Sequence, residues 1–115
     1  MQAARASLPE VMGRIEGELR TLADLSLAVQ EGLSETLTSE AITREGLRSA
    51  QNLDLITQSL AATAAFMRAL VDQVPSEVSV RPDLAAAHLT LAKLAERLAG
   101  AETGRLPESE DDFLF

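Results

Sequence analysis

The sequence has no cysteine, tryptophan or tyrosine, and only one histidine among its 115 residues. The absence of cysteine excludes disulfides, thiolate catalysis, and zinc or iron–sulfur sites that depend on thiolate ligands. The single histidine, His88, excludes a metal site made of several histidines. Six glycines and four prolines are few for an all-β sandwich with many turns. Alanine and leucine are abundant instead, and both residue types favour helices.

Positive charge is also scarce, with 10 basic residues against 18 acidic ones and a formal net charge of −8. We therefore expect neither nucleic acid nor an anionic membrane surface as a partner, because the electrostatic contribution would oppose binding. A basic protein surface would be attracted. The sequence contains no apolar run that approaches the ~18 residues of a membrane span, and its first residues lack a signal-peptide core. A cytoplasmic protein is the expectation.

The first predicted helix starts at Ser7, which is a suitable N-cap with Glu10 three residues later. Apolar residues then recur every seven positions, which indicates an amphipathic helix that ends at about Glu31 or slightly beyond, with a turn that begins at Gly32. These residues are Leu8, Ile15, Leu22 and Val29.

The second predicted helix is capped by Thr38 or Ser39 and meets no proline before Pro75, so it could extend for about 35 residues. Its apolar residues alternate in steps of three and four, which is the heptad spacing of packed helices. The predicted seam consists of Leu53, Ile56, Leu60, Thr63, Met67, Leu70 and Val74.

A shorter third helix is predicted from Pro82 to a C-cap at Gly100. The fold class expected is all-α: a long antiparallel helical hairpin and this third helix in residues 1–100. Residues 101–115 are expected to form an acidic and hydrophobic tail. Because one hairpin leaves a long apolar seam uncovered, we expect two copies to pair as a homodimeric four-helix bundle. A three-helix monomer is the alternative.

One polar cluster on the second helix is a candidate for chemistry. Asp54 and Gln58 are four residues apart and are predicted to face outward, together with Gln51. A carboxamide both donates and accepts hydrogen bonds, so Gln58 could orient a water for attack on a phosphoryl group of a partner. Asp54 could pair with a lysine of that partner. No cofactor of its own is then required if the partner supplies Mg²⁺. The alternative is an ordinary solvated helix surface.

Small side chains flank this cluster and would let the backbone of a partner come close. These partner-binding candidates are Ala61, Ala62 and Ala65.

Residues 50–70, AQNLDLITQSLAATAAFMRAL, resemble the catalytic helix of the CheZ chemotaxis phosphatases. That helix carries an Asp-x-x-x-Gln motif, with an Ala-Gln pair before the motif and a leucine directly after its aspartate. The short, CheT-type members are the most similar. The resemblance implies a dimeric four-helix bundle that dephosphorylates the CheY response regulator, with no metal of its own. It also implies that Asp54 pairs with the regulator's lysine and that Gln58 orients the hydrolytic water.

The last residues, SEDDFLF, are similar to the acidic and hydrophobic segment with which CheZ proteins dock on CheY. The resemblance implies a second CheY-binding element, since an acidic segment with apolar anchors suits folding onto a basic groove. The alternative is a tail that folds back on the bundle. The candidate residues are Asp111, Asp112, Phe113, Leu114 and Phe115.

Two other functions remain open. A non-catalytic dimeric adaptor could bind a CheY-type receiver, or another chemotaxis protein, through the same surfaces. The run AAAHLTLAKLAERL also resembles histidine-phosphotransfer domains, in which a surface histidine accepts a phosphoryl group; that role would fall to His88. The competing interpretation places His88 as a packed or rim histidine near the apolar stripe of the third helix.

Overall fold

The structure is a computed structural model that describes residues 5–37 and 44–100. This part of the chain is mostly helical, as the composition predicts, and contains two long packed helices and shorter ones. The elements, in chain order, are β1 (Ala6–Ser7), α1 (Leu8–Leu37), α2 (Arg44–Val71), β2 (Ser79–Val80), α3 (Pro82–Ala86) and α4 (Ala92–Ala99).

The start of α1 is where the sequence predicts it. The Ser7 hydroxyl accepts a hydrogen bond from the backbone N–H of Glu10 at 3.2 Å, as an N-cap residue does. The Glu10 carboxylate binds Arg14 one turn later rather than completing a capping box. The helix does not stop near Glu31 but continues to Leu37, so Gly32 does not end it.

The second helix is shorter than predicted. α2 ends at Val71 and has 28 residues, and the chain then turns with a hydrogen bond from Val74 N to Val71 O. Val74 therefore lies beyond the helix and is not part of its seam. The predicted caps, Thr38 and Ser39, lie outside the described residues.

The predicted continuous third helix is wrong, because the chain breaks between α3 and α4. Hydrogen bonds that reach back only three residues end α3, from His88 N to Ala85 O and from Leu89 N to Ala86 O. Leu91 is then extended before α4 begins. The two short helices pack against each other, which a single straight helix could not do. Helical propensity favours both α3 and α4. They are separate helices because the chain turns between them so that they can pack against each other.

The chain divides into two compact units, one of which is Glu16–Arg68. The other consists of the described residues up to Ile15 and from Ala69 onward. In that second unit, β1 pairs with β2 in antiparallel register, Ala6 opposite Val80.

Arg14 and Gly100 stabilise the second unit. Arg14 donates a hydrogen bond from Nη1 to the carbonyl oxygen of Leu98 at 3.0 Å, near the C-terminus of α4. Gly100 has φ +87° and ends α4, as predicted for a glycine C-cap. The backbone conformation therefore favours glycine, and a Cβ at this position would lie 2.7 Å from Arg14 Nη2, so the guanidinium would have to shift.

Candidate functional site

Within the unit Glu16–Arg68, cross-helix hydrogen bonds define how α1 and α2 pair. Ser26 bonds Thr57, and Gln30, one turn further along α1, bonds Asp54, about one turn earlier along α2. The helices are therefore antiparallel. Residues that face the neighbouring helix recur in steps of three and four on both helices, as in coiled-coil packing. On α1 they are Leu19, Ala23, Ser26 and Gln30, and on α2 they are Leu53, Thr57, Leu60, Ala64 and Met67.

This seam differs from the predicted one by one position. Leu53, Leu60 and Met67 are at least partly buried as expected, but Thr57 and Ala64 complete the seam in place of Ile56 and Thr63. Ala64 is fully buried, whereas half of the Ile56 surface is exposed. Small side chains let two helices approach closely, and paired hydroxyls satisfy each other there. The large side chain of Ile56 is left outside.

The two outer sides of the hairpin have different character. Each helical residue turns about 100°, so the residues just before and just after a seam residue point to opposite sides. Because the helices are antiparallel, the residues that directly precede a seam residue on either helix lie on one side of the hairpin. The residues that directly follow a seam residue on either helix lie on the other side. We call the first the apolar side; it contains Leu22, Leu25, Val29, Ile56 and Phe66. We call the second the motif side; it contains Leu27, Asp54, Gln58, Ala61 and Ala65.

Asp54 and Gln58 are both exposed on the motif side, and they contact each other. Gln58 Nε2 donates a hydrogen bond to Asp54 Oδ2 at 2.7 Å. Asp54 also accepts a bond from Gln30 Nε2 to Oδ1 at 3.2 Å. The structure therefore brings the carboxylate and the carboxamide together at the surface. Both carboxylate oxygens already accept hydrogen bonds from amides of the same chain.

A chain of hydrogen bonds leads from inside the seam to Asp54. The hydroxyls of Ser26 and Thr57 are 2.6 Å apart, and Thr57 Oγ1 lies 2.9 Å from Gln30 Oε1. Thr57 Oγ1 is equally close to the carbonyl oxygen of Leu53. Among the described residues, every buried side-chain nitrogen and oxygen has a partner. The network thus satisfies the polar groups that the seam encloses.

Sequence reasoning missed Gln30, Ser26 and Thr57. Ser26 and Gln30 are polar residues four positions apart on α1, among the apolar residues Leu25, Leu27 and Val29, and this spacing was the available signal. The predicted apolar heptads, however, placed Val29 and Ile56 nearer the centre of the seam. Only the register between the helices brings Gln30 beside Asp54.

The other predicted partner-binding residues of α2 are at the surface. Gln51 is exposed one turn before Asp54, and Ala61, Ala62 and Ala65 are exposed in the turns after Gln58. Leu27 of α1 joins them as an exposed leucine on the motif side. The surface around Gln58 therefore combines these small alanines with two exposed leucines, Leu27 of α1 and Leu55 of α2.

His88 does not have the predicted position. It lies in the turn after α3, and it is exposed rather than packed against an apolar stripe. The tail candidates Asp111, Asp112, Phe113, Leu114 and Phe115 lie outside the described residues. In residues 5–37 and 44–100, no group of three or more acidic or histidine side chains could hold a metal ion. None of the helices described is long and apolar enough to cross a membrane.

Residues 4–115 match the family described as Domain of unknown function (DUF8776), and the chain belongs to this family. No curated protein and no solved structure matches the chain.

Proposed function

We propose that this protein is a CheZ-like component of bacterial chemotaxis signalling that binds a phosphorylated CheY-type receiver and promotes hydrolysis of its aspartyl phosphate. The observation that carries the proposal is the exposed Asp54–Gln58 pair, joined at 2.7 Å on a rigid helix with small neighbours. The exposed alanines after Gln58 let such a helix approach a shallow acidic site closely. The cytoplasm is the proposed location, where the receiver would be found.

The chemistry requires one water and one leaving carboxylate. The Gln58 carboxamide accepts a hydrogen bond from a water at its oxygen and directs that water at the phosphorus atom. The water oxygen bonds to phosphorus, the bond between phosphorus and the receiver's aspartate breaks, and inorganic phosphate leaves. Positioning of this kind accelerates hydrolysis without a new covalent intermediate. The receiver supplies Mg²⁺, and this chain supplies no cofactor.

Asp54 has a separate task in the proposal. Its carboxylate pairs with a lysine of the receiver, which orients the receiver on α2 and brings the phosphoryl group to Gln58. Gln51 and the exposed alanines Ala61, Ala62 and Ala65 contact the receiver around this pair. On sequence grounds alone, residues 111–115 form a second contact.

The apolar side of the hairpin supports a homodimer with a four-helix bundle. Leu25, Val29 and Ile56 are about half exposed in the single chain, and Phe66 is more exposed still. A second copy related by two-fold symmetry covers these residues. This pairing leaves the motif side free, because Asp54 and Gln58 lie on the opposite side of the hairpin. Each dimer would then offer two receiver sites.

The test is the rate of phosphate loss from a phosphorylated CheY-type receiver. Wild-type protein should accelerate the loss, and Gln58→Ala should reduce that acceleration about a hundredfold while receiver binding persists. Gln73→Ala, a change of an exposed glutamine in the turn after α2, is the matched control and should act as wild type.

Two results would contradict the proposal and favour the alternatives. Binding of the receiver without faster phosphate loss would indicate the non-catalytic adaptor. Transfer of labelled phosphate to this protein, lost in His88→Gln, would indicate phosphotransfer. The exposed turn that holds His88 gives the second alternative less support, because phosphotransfer domains present their histidine on a bundle helix.

A further inference from the structure

In the free protein, the Gln58 carboxamide already donates a hydrogen bond within its own helix. Its Nε2 donates to Asp54 Oδ2 at 2.7 Å, which holds the side chain along its own helix. A glutamine held in this way does not extend from α2 toward a bound partner. A function that needs the Gln58 amide extended from α2 toward a partner must therefore first break this bond.

Gln30 holds the other oxygen of the same carboxylate, and its amide has a fixed orientation. Its Nε2 donates to Asp54 Oδ1 at 3.2 Å, because a carboxylate only accepts, and its Oε1 lies 2.9 Å from the Thr57 hydroxyl. Ser26, which is buried, donates to Thr57 when Thr57 donates to Gln30. Gln30 is thus supported from within the seam. Gln58 is exposed and bonded to Asp54.

The two amides differ in how readily a cation replaces them. An ammonium group forms a charge-assisted hydrogen bond with a carboxylate that is roughly twice as strong as a neutral one. It would therefore compete well with the Gln58 amide at Oδ2, because Asp54 and Gln58 are both exposed. At Oδ1, Gln30 is half-buried and also contacts Thr57. A cation therefore displaces Gln58 and leaves Gln30 bound.

We propose that Asp54 retains the Gln58 carboxamide until an ammonium group of the bound partner takes Oδ2, while Gln30 keeps the carboxylate in place as a positioning residue. The inference rests on the proposed function, because the released amide is the group that orients the water. Recognition of the partner's lysine and release of Gln58 are then one event. An unbound protein keeps its amide away from other phosphorylated proteins.

The first experiment separates positioning from catalysis by steady-state kinetics on the phosphorylated receiver. Gln30→Met keeps the length of the side chain but removes both hydrogen bonds. We expect KM to rise about fivefold, which corresponds to the loss of the hydrogen bond from Gln30 to Asp54. We expect kcat to change less than about twofold. Gln73→Met is the control and should change neither constant. A fall in kcat at unchanged KM, or no change in Gln30→Met, would overturn the role of Gln30.

The second experiment reads the amide itself by NMR of the side-chain NH₂ groups. In the free protein, Asp54→Ala should shift the resonances of both Gln58 and Gln30. Saturation of the wild type with a beryllofluoride-loaded receiver should shift those of Gln58 in the same direction as Asp54→Ala. A receiver whose pairing lysine is replaced by methionine should leave them at the free position even at saturation. Identical Gln58 resonances in wild type and Asp54→Ala would refute the retention.

The two failures are distinguishable. If phosphate loss is not accelerated but the lysine-dependent shift of Gln58 is present, the proposed hydrolysis is wrong and the release stands. If phosphate loss is accelerated but the Gln58 resonances do not depend on Asp54, the release is wrong and the hydrolysis stands.

Discussion

The hydroxyl oxygens of Ser26 and Thr57 lie 2.6 Å apart between α1 and α2, at the point where the hairpin's seam changes from apolar to polar. Ser26 is buried, and Thr57 continues the contact to Gln30. This pair favours the observed register of the two helices, because a shift of one turn would take the buried Ser26 hydroxyl away from its partner. The same register places Gln30 beside Asp54.

We expect Thr57→Val to lower the free energy of unfolding by about 1–2 kcal/mol, because it leaves the buried Ser26 hydroxyl without a partner. Ser26→Ala should act similarly. The double variant should lose less than the sum of the two, since both polar groups are then gone. Urea unfolding followed by circular dichroism measures all three.

Thr63→Val is the control for these variants. Thr63 is exposed, and its hydroxyl bonds the carbonyl oxygen of Ser59 in its own helix at 2.7 Å. We expect a change below about 0.5 kcal/mol. Strictly additive losses in the Ser26–Thr57 cycle would show that the two hydroxyls do not depend on each other.

The proposed homodimer predicts that a charge on the apolar side separates the two copies. Ile56→Glu should raise the dimer dissociation constant about a hundredfold or more, because two-fold symmetry counts each lost apolar contact twice. Sedimentation at several protein concentrations measures the change.

Leu55→Glu is the matched control for the dimer. Leu55 is even more exposed than Ile56, at 63% against 50%, but it precedes no seam residue and lies on the outer surface of α2. We expect it to leave the dimer intact. A monomeric wild type, or equal weakening by both substitutions, would contradict the predicted interface.

Gly100→Ala should destabilise the protein by about 1–2 kcal/mol, because φ +87° is unfavourable for a residue with a Cβ. The new methyl group would also meet the Arg14 guanidinium. Gly17→Ala tests the opposite case within α1, where a Cβ would have open space. It should stabilise the helix by up to about 1 kcal/mol. Thermal unfolding compares the two, and equal effects would be inconsistent with this account.

The helical class, the start of α1 and the end of α4 followed from the sequence. Ser7 and Gly100 act through their own backbone and immediate neighbours, so local rules were enough to place them. The shared helix face of Asp54 and Gln58 was predicted for the same reason. Residues four apart share a helix face whatever the rest of the chain does.

The break after α3 and the residues of the hairpin seam did not follow from the sequence. The leucines at positions 84, 91, 94 and 98 fit one helix, yet α3 and α4 pack on each other. On α2, the heptad accommodates either Ile56 or Thr57 beside Leu53. The choice depends on what α1 presents across the seam, which the pattern of one helix does not contain.

The sequence by itself determined an acidic, helix-rich chain and a carboxylate and amide on one exposed helix face, because these properties depend on composition and on spacing along one helix. Only the tertiary structure decided that Gln30 reaches Asp54 and that Ile56 lies outside the seam. Both depend on contacts between α1 and α2, whose contacting residues are more than 20 positions apart in the sequence. They are set by how closely small side chains let two helices approach, and by which buried polar groups must find each other.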